Sequence, residues 1–343
     1  MPKASLTIDG TEIISKENGN LYLNDNIETT KLYDFSGTIN FTSCGRNVGC
    51  YGPNLTEAIA SYTSEAYQST WLNNINYFNV VAGVQFFRVP KTGTYSFTLA
   101  GARGGDATYA GLGISLSSSA DLISGEWLKI VCGQKGNYYD ARHAGGGGAS
   151  FIAVFRMGIW LPLLVAGGGA GQSSNSPNNS NSNRNAFAPG AGKGDRISDG
   201  GDGSWHSASY TSSVGYYWPG GGGGGWSSNG EDGTINYLNS NQPLGGRALN
   251  STSPIGGNWR VEDGATTASI VNNGGFGGGG ATGRSGGAAG GGGGWWGGNS
   301  SYARISSTSD DTTLLGGGSY SMNSYTNNGT NNGPGEVTFT FVS

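Results

Sequence analysis

Gly283-Arg284-Ser285-Gly286-Gly287 has the G-x-S-x-G spacing of a nucleophile elbow, which presents a serine on a sharp strand-to-helix turn. The strand-turn-helix pattern that gives the spacing its meaning is missing around it, and in a glycine-rich tract such spacings arise by chance. His143 and His206 are the only histidines, so neither a His-rich metal centre nor a Ser-His-Asp arrangement is well supported. Gly192-Lys193-Gly194 lacks both the Ser/Thr and the upstream glycine of a phosphate-binding loop. Asp199-Gly200-Gly201-Asp202 could bind calcium, although acidic turns of this kind are more often simply solvated. No pair of carboxylates stands in a glycosidase-like context, but two such groups need meet only in space. Cys44 and Cys50 lie six apart, close enough to pair if oxidised; the alternative is two small buried side chains in a turn. Cys132 sits in an alternating strand pattern and is expected in the core. These residues predict no catalytic site, no bound metal and no cofactor.

Composition narrows the remaining classes. Charged residues make up 12% of the 343 residues and the net charge is −4. There is no cluster of Lys and Arg of the kind that releases counterions from phosphates, so nucleic acid is not an expected partner. No apolar run approaches the roughly 18 residues of a membrane span, so no membrane insertion is expected. Met1-Pro2-Lys3-Ala4-Ser5-Leu6 lacks the apolar stretch of a secretory signal, and the expectation is a soluble protein not exported by the usual route. Three cysteines are too few for a disulfide-built fold. Glycine is the outlier, at 67 residues, and only 8 of these fall in residues 1–100. The chain therefore changes physical character near Ala100.

The elements expected to carry this composition are mostly strands. In residues 1–36, Leu6-Thr7-Ile8, Glu12-Ile13-Ile14 and Leu21-Tyr22-Leu23 are short β-like pieces divided by Asp9-Gly10 and Asn18-Gly19-Asn20, a hairpin-like series read as an attachment segment. Residues 37–82 read as a leader, with a strand at Ile39-Asn40-Phe41-Thr42 and one helix. Asn54 caps that helix, Glu57 completes the capping-box spacing, and Leu55, Ala58, Ile59 and Tyr62 share one apolar face. From Gly83 onward, Val84 and Phe86, then Tyr95, Phe97 and Leu99, then Leu128, Ile130 and Cys132 alternate with more polar neighbours, as in strands with one buried face. Phe151–Phe155 and Leu161–Val165 are more continuously apolar, as interior strands are. The alternating strand Val337–Val342 must return to the same sheets to bury its face, so residues 83–166 and 335–343 are expected to make one sandwich and 167–334 an insertion.

Uninterrupted glycine runs recur in the insertion: Gly167–Gly169, Gly220–Gly225, Gly277–Gly280, Gly290–Gly294 and Gly316–Gly318. A flexible linker would explain glycine but not the nine tryptophans or the 11% aromatic content, since disordered chains are poor in aromatics. The runs also end abruptly in large rings, at Trp226 and at Trp295-Trp296. Packed extended backbone explains both. A glycine run can take the polyproline-II shape, with three residues per turn and a rise of about 3.1 Å, and its outward N–H and C=O groups then need partners on neighbouring runs. Absence of Cβ lets those runs approach closely. Trp226, Trp295 and Trp296 are expected to plug the ends of such a bundle.

Phe87-Arg88-Val89-Pro90-Lys91-Thr92-Gly93-Thr94-Tyr95, Ala100-Gly101-Ala102-Arg103-Gly104-Gly105 and Gly125-Glu126-Trp127-Leu128-Lys129-Ile130-Val131-Cys132-Gly133-Gln134-Lys135-Gly136 resemble the opening of the glycine-rich domain family. Gly145–Phe151, Leu163–Gly169, Gly274–Gly280 and Gly290–Trp296 follow in the family's order, so the resemblance covers about 83–343. The family includes the ligand-binding ectodomain region of anaplastic lymphoma kinase-type receptors and many phage and bacterial proteins. The resemblance implies a mainly β fold: a TNF-like, jelly-roll β-sandwich with an inserted bundle of polyglycine-II helices and long loops, plus the small N-terminal attachment segment. Similar glycine helices occur in tip adhesins of phage long tail fibres, where loops between them contact the host. This chain departs from the receptors in lacking a signal, a transmembrane helix and a kinase region. Residues 37–82, with Gly52-Pro53 and Trp71-Leu72-Asn73-Asn74, resemble more loosely the leader of phage structural proteins.

The function expected on these grounds is that of a phage virion protein, a tail-fibre or receptor-binding adhesin. Its partners would be a host cell-surface glycan or outer-membrane protein, and other virion proteins through the N-terminal segment, with a homotrimer as one assembly. A virion structural or decoration protein is the alternative, and a glycan depolymerase a third class. Recognition should fall in loops between the glycine runs. The richest holds Trp205, His206, Tyr210, Tyr216, Tyr217 and Trp218, in the Tyr/Trp/Ser/Gly/Asn composition of adaptable binding loops; local packing is the competing role. Tyr237, Trp259, Tyr302 and Tyr325 are further candidates.

Overall fold

The computed structural model describes residues 4–8, 11–17, 20–23, 32–33, 35, 37–64, 67–140, 143–172, 184–190, 199–201, 205–206, 220–235, 243–258, 273–282, 288–301 and 314–343. Strands β1 (Ala4–Ile8), β2 (Thr11–Glu17) and β3 (Asn20–Leu23) form an antiparallel sheet in that order, on the three apolar pieces read from the sequence. β4 (Thr38–Phe41) is followed by α1 (Leu55–Ser61), a single π-type turn at Gln68–Leu72, and β5 (Phe78–Val81). Then come β6 (Val84–Arg88), β7 (Gly93–Ala100), β8 (Gly113–Leu122), β9 (Trp127–Val131), β10 (Tyr138–Asp140), β11 (His143–Ala144), β12 (Ser150–Arg156) and β13 (Ile159–Ala166). β14 (Trp205–His206) and β15 (Thr234–Ile235) are short; β16 (Tyr320–Ser321), β17 (Tyr325–Asn331) and β18 (Glu336–Phe341) close the chain.

Two antiparallel sheets face each other. One has the order β16-β13-β12-β9-β6-β5 and the other β17-β8-β7-β18-β4. Their facing residues follow from the alternation: Tyr95, Phe97 and Leu99 on β7 and Val337 and Phe339 on β18 are buried, opposite Leu128 and Ile130 on β9 and Ile152 and Val154 on β12. Tyr95 and Phe339 stack at 4.6 Å between ring centres, and Phe87 meets Phe339 edge-on at 5.7 Å. Each such large side chain contributes roughly 1.5–3 kcal/mol when fully buried.

Residues 37–82 are part of this core, which corrects the boundary expected at Gly83. β4 is an edge strand paired with β18, Phe41 opposite Val337, and β5 pairs with β6. α1 carries the capping box, with the Asn54 side chain accepting from Glu57 N–H and the Glu57 carboxylate accepting from Asn54 N–H. Its Ala58 and the following Tyr62 are buried. The π-type turn, which carried no sequence signal of its own, buries Trp71 among the rings of Phe41, Tyr62, Phe78 and Phe87. A second boundary also moves. The chain returns to the sandwich at β16 and β17 rather than at residue 335, since β16 pairs with β13 and β17 with β8.

At one end of the sandwich the strands run directly into glycine. β7, β9 and β13 end there, and β8, β12 and β18 begin there, with Ala100 opposite Ser115, Val131 opposite Phe151 and Ser150 opposite Ala166. Beyond that end lies an array of extended glycine-rich segments joined sideways. Residues 220–226 show its rule. Gly221 and Gly224 donate to Ala281 and Gly278, Gly222 and Gly225 to Glu231 and Ser228, Gly223 and Trp226 to Gly298 and Trp295. Every third N–H thus reaches the same neighbour, along three directions. Carbonyls of the same run accept from Gly291 and Gly294, from Gly246 and Leu249, and from Gly201. The run is bonded to six surrounding segments, each antiparallel or parallel neighbour held by main-chain groups alone.

Candidate binding surfaces

The array has two ends, and different residues meet at each. At the near end Trp226, Leu249 and Phe276 pack with Val84, Val131, Phe151 and Val165 on the outer face of the six-stranded sheet. Trp226 lies edge-on to Phe151 at 5.4 Å, Trp295 stacks on Tyr320 at 4.2 Å, and Trp296 packs with Phe187 at 5.1 Å. These tryptophans stand where glycine runs reach side-chain core, so the array is seated on the sheet by rings.

At the far end the main chain closes a single layer. Leu244 N–H donates to Asn258 O (2.8 Å), Ala281 N–H to Leu244 O (3.1 Å), Gly221 N–H to Ala281 O (2.9 Å) and Gly291 N–H to Gly221 O (3.1 Å). Thr282 Oγ1 donates to Ala288 O and Ala289 N–H to Ser301 Oγ, while Ala170, Ala289 and Leu314 form a small apolar cluster. In sequence, residues of this end of the array flank the segments 207–219, 236–242, 259–272, 283–287 and 302–313. Of the sequence-predicted contact residues, Tyr210, Tyr216, Tyr217, Trp218, Tyr237, Trp259 and Tyr302 belong to these segments and lie outside the described residues. So do Gly283–Gly287 and Gly192–Gly194. Trp205 and His206 form β14, paired in parallel with Thr234 and Ile235 of β15. Tyr325 stands apart from this layer: it is on β17 of the sandwich, 40% exposed, with its hydroxyl donating to Pro189 O at 3.0 Å.

Cys44 and Cys50 do not form the disulfide that their spacing allows; all three cysteines are buried free thiols. Cys44 Sγ donates to Tyr62 Oη at 3.5 Å, whereas Cys50 Sγ accepts from Asn273 Nδ2 at 3.2 Å. The turn between them directs each thiol to a different neighbour. Burial pushes the Cys50 thiol up to about 11 and raises Cys44 and Cys132 as well. Such thiols are weak nucleophiles. Asp199 and Gly201 serve the array, with Asp199 O accepting from Gly297 N–H and Gly201 N–H donating to Gly223 O. Among the described residues no three His, Cys, Asp or Glu side chains stand together as metal ligands, and no helix is long and apolar enough to cross a membrane.

Two features of the outer sheet face carried no sequence-level signal. Lys129 is 2% exposed, its ammonium donating to Ser251 O (2.7 Å) and Leu249 O (3.3 Å) and lying 5.6 Å from the Phe151 ring centre. Desolvation pushes its pKa down to about 8. It fastens the turn at Leu249–Ser251 to the sheet. Past Lys129, away from the array, none of the described residues covers the same face, which holds a hollow of about 410 Å³. Ile75, Val81, Phe86, Trp127, Phe155 and Trp160 line it, with Asn79 the polar side chain among them. The individual residues were readable as strand positions; their bareness depends on how far the array covers the face.

No protein-family model matches the sequence, and no curated protein matches it.

Proposed function

We propose that the chain is a surface-binding virion protein, a phage tail-fibre or receptor-binding adhesin, in which a polyglycine-II bundle on a TNF-like, jelly-roll sandwich displays aromatic loops. The observation that carries the reading is the laterally bonded array, whose far-end residues Gly221, Leu244, Asn258 and Ser301 stand next in sequence to the segments that hold Tyr210–Trp218, Tyr237, Trp259 and Tyr302. The three-residue period of lateral bonding supports the polyglycine-II geometry, because only a three-fold helix returns every third N–H to one neighbour. A base held by backbone bonds in many directions keeps loop ends fixed, which lowers the ordering cost of binding. Tyr and Trp supply contact area, and their rings suit the apolar faces of sugars as well as an outer-membrane protein. On this reading the N-terminal sheet attaches to other virion proteins and no catalysis is involved.

The test is binding of the purified protein to intact candidate host cells, with wild type compared against Trp205→Ala/Tyr217→Ala. Saturable binding that the folded double variant weakens is the expected result. A folded, assembled wild type that binds no host cell, together with repeated copies across the particle, would favour the structural or decoration role; shortened surface glycans would point to a depolymerase.

A further inference from the structure

The bare half of the outer sheet face is the second surface of this molecule, and it has a different chemistry from the loops. Where the array stops at Lys129, the sheet continues with Phe86 on β6, Trp127 on β9, Phe155 on β12 and Trp160 on β13, flanked by Val81. Phe155 packs against Trp160 at 5.1 Å and Phe86 against Trp160 at 5.7 Å, so the floor is a continuous set of rings. Val81 is 51% and Phe155 43% exposed. The hairpin that supplies Phe155 and Trp160 ends in Met157, which is 99% exposed and held at φ +53°. With Gly158 at φ +82°, this is the primed turn that a two-residue hairpin favours, and it leaves the Met157 side chain projecting from the tip.

We infer that this face associates with a second copy of the same chain, in a two-fold contact that seats the β12–β13 hairpin tip of each copy in the ring-lined hollow of the other. Four observations choose that occupant. The lining is almost wholly apolar, with Asn79 the polar side chain in it, so it offers a sugar ring faces but few hydrogen bonds, whereas an apolar side chain such as that of Met157 matches it throughout. The projection and the hollow lie side by side on one surface, and an isologous interface requires just such self-complementarity. The rim carries both signs, with Arg156 paired to Glu126 at 2.6 Å and Arg88 over the Trp127 ring, so two copies meet without like-charge repulsion. The area fits as well. Ile75, Val81, Phe155, Met157 and Ile159 are all exposed, and with the half-buried rings of Phe86, Trp127 and Trp160 they make an apolar patch of several hundred Å², the size that marks interaction sites and a large part of the roughly 800 Å² per partner of a standard interface. The face is continuous with the one that the array already covers, so a second copy completes a layer the chain leaves half built.

Sedimentation velocity on the full chain over a micromolar concentration series tests this. Wild type is expected to sediment as a dimer. Met157→Asp and Val81→Asp, both at exposed positions, should each weaken association roughly tenfold or more while the circular-dichroism melting curve of the monomer is kept. A wild type that stays monomeric throughout, a dimer that survives both substitutions, or an assembly of another order, the homotrimer included, overturns the two-fold contact. Because the readout is mass and not cell binding, its failure leaves the adhesin reading untouched.

Discussion

The sandwich and the glycine array solve the problem of burial in opposite ways. In the sandwich, main-chain groups are satisfied within two sheets and the space between is filled by rings, with Trp71, Phe87, Tyr95 and Phe339 at its centre. In the array, the space between chains has been removed. Main chain meets main chain, and hydrogen bonds in several directions take the place of side-chain packing. Glycine loses more conformational entropy on folding than any other residue, so the array is stable only as a cooperative set seated on something already rigid. The near-end tryptophans and Lys129 provide that seat.

The comparison predicts that the two regions fail under opposite substitutions. Removing a side chain should damage the sandwich most. Trp71→Ala deletes a ring that touches Phe41, Phe78 and Phe87 and should cost about 3–5 kcal/mol, read from urea unfolding. A loss below 1 kcal/mol would mean that the core recloses around the gap and does not depend on its jigsaw.

Adding a side chain should damage the array. Gly223 donates to Gly298 O and accepts from Gly201 N–H, and a Cβ there would overlap the Gly292 carbonyl. Gly223→Ala should therefore cost about 1–3 kcal/mol or more, as overpacking does. Gly333→Ala is the control, because its Cβ would meet only Asn331 Oδ1 at 3.5 Å, and its effect should stay within about 0.5 kcal/mol. Equal tolerance at the two positions would refute the close-packed backbone.

The two regions also differ in how far they could be read in advance. Period-two alternation marked β7, β9 and β18, and Asn54 with Glu57 marked α1, because each of those signals is local. β17, Tyr-Thr-Asn-Asn-Gly-Thr-Asn, is an exposed edge strand held by its pairing with β8, so it buries too little to show an apolar pattern. Residues 37–82 misled for the reverse reason: the strand at Ile39–Thr42 and the stretch at Trp71 read as parts of a separate leader, since the sheets that cover Ile39, Phe41 and Trp71 come later in the chain. The continuous apolar run Phe151–Phe155 announced a strand covered on both faces. In the structure the array covers Phe151 and Ala153 and leaves Phe155 bare, and the limit of that cover is set by where the turn at Leu249–Ser251 lands. Glycine spacing showed that runs would associate; which run neighbours which is a matter of three-dimensional register that no single run contains.

The smallest effect expected is a pH dependence at the seam between the two regions. Lys129 faces the Phe151 ring and the Leu249 and Ser251 carbonyls, and its folded pKa is pushed down to about 8. In the unfolded chain a lysine titrates near 10.4. Between about 8 and 10.4 the folded state has released a proton that the unfolded state still holds, so this group makes stability rise with pH through that window. The buried thiols act against it. Their folded pKa values are raised, with Cys50 at about 11, so stability they contribute at lower pH is lost as pH climbs past the ordinary thiol range near 8.5. The raw profile therefore mixes two signs, and Lys129→Met separates them, because the thiol contribution is common to both proteins. Urea midpoints at a series of pH values should show wild type gaining on Lys129→Met as pH rises from about 8 toward 10. A difference that stays flat across that window would mean that the ammonium is solvated, and that the array is held to the sheet by its rings alone.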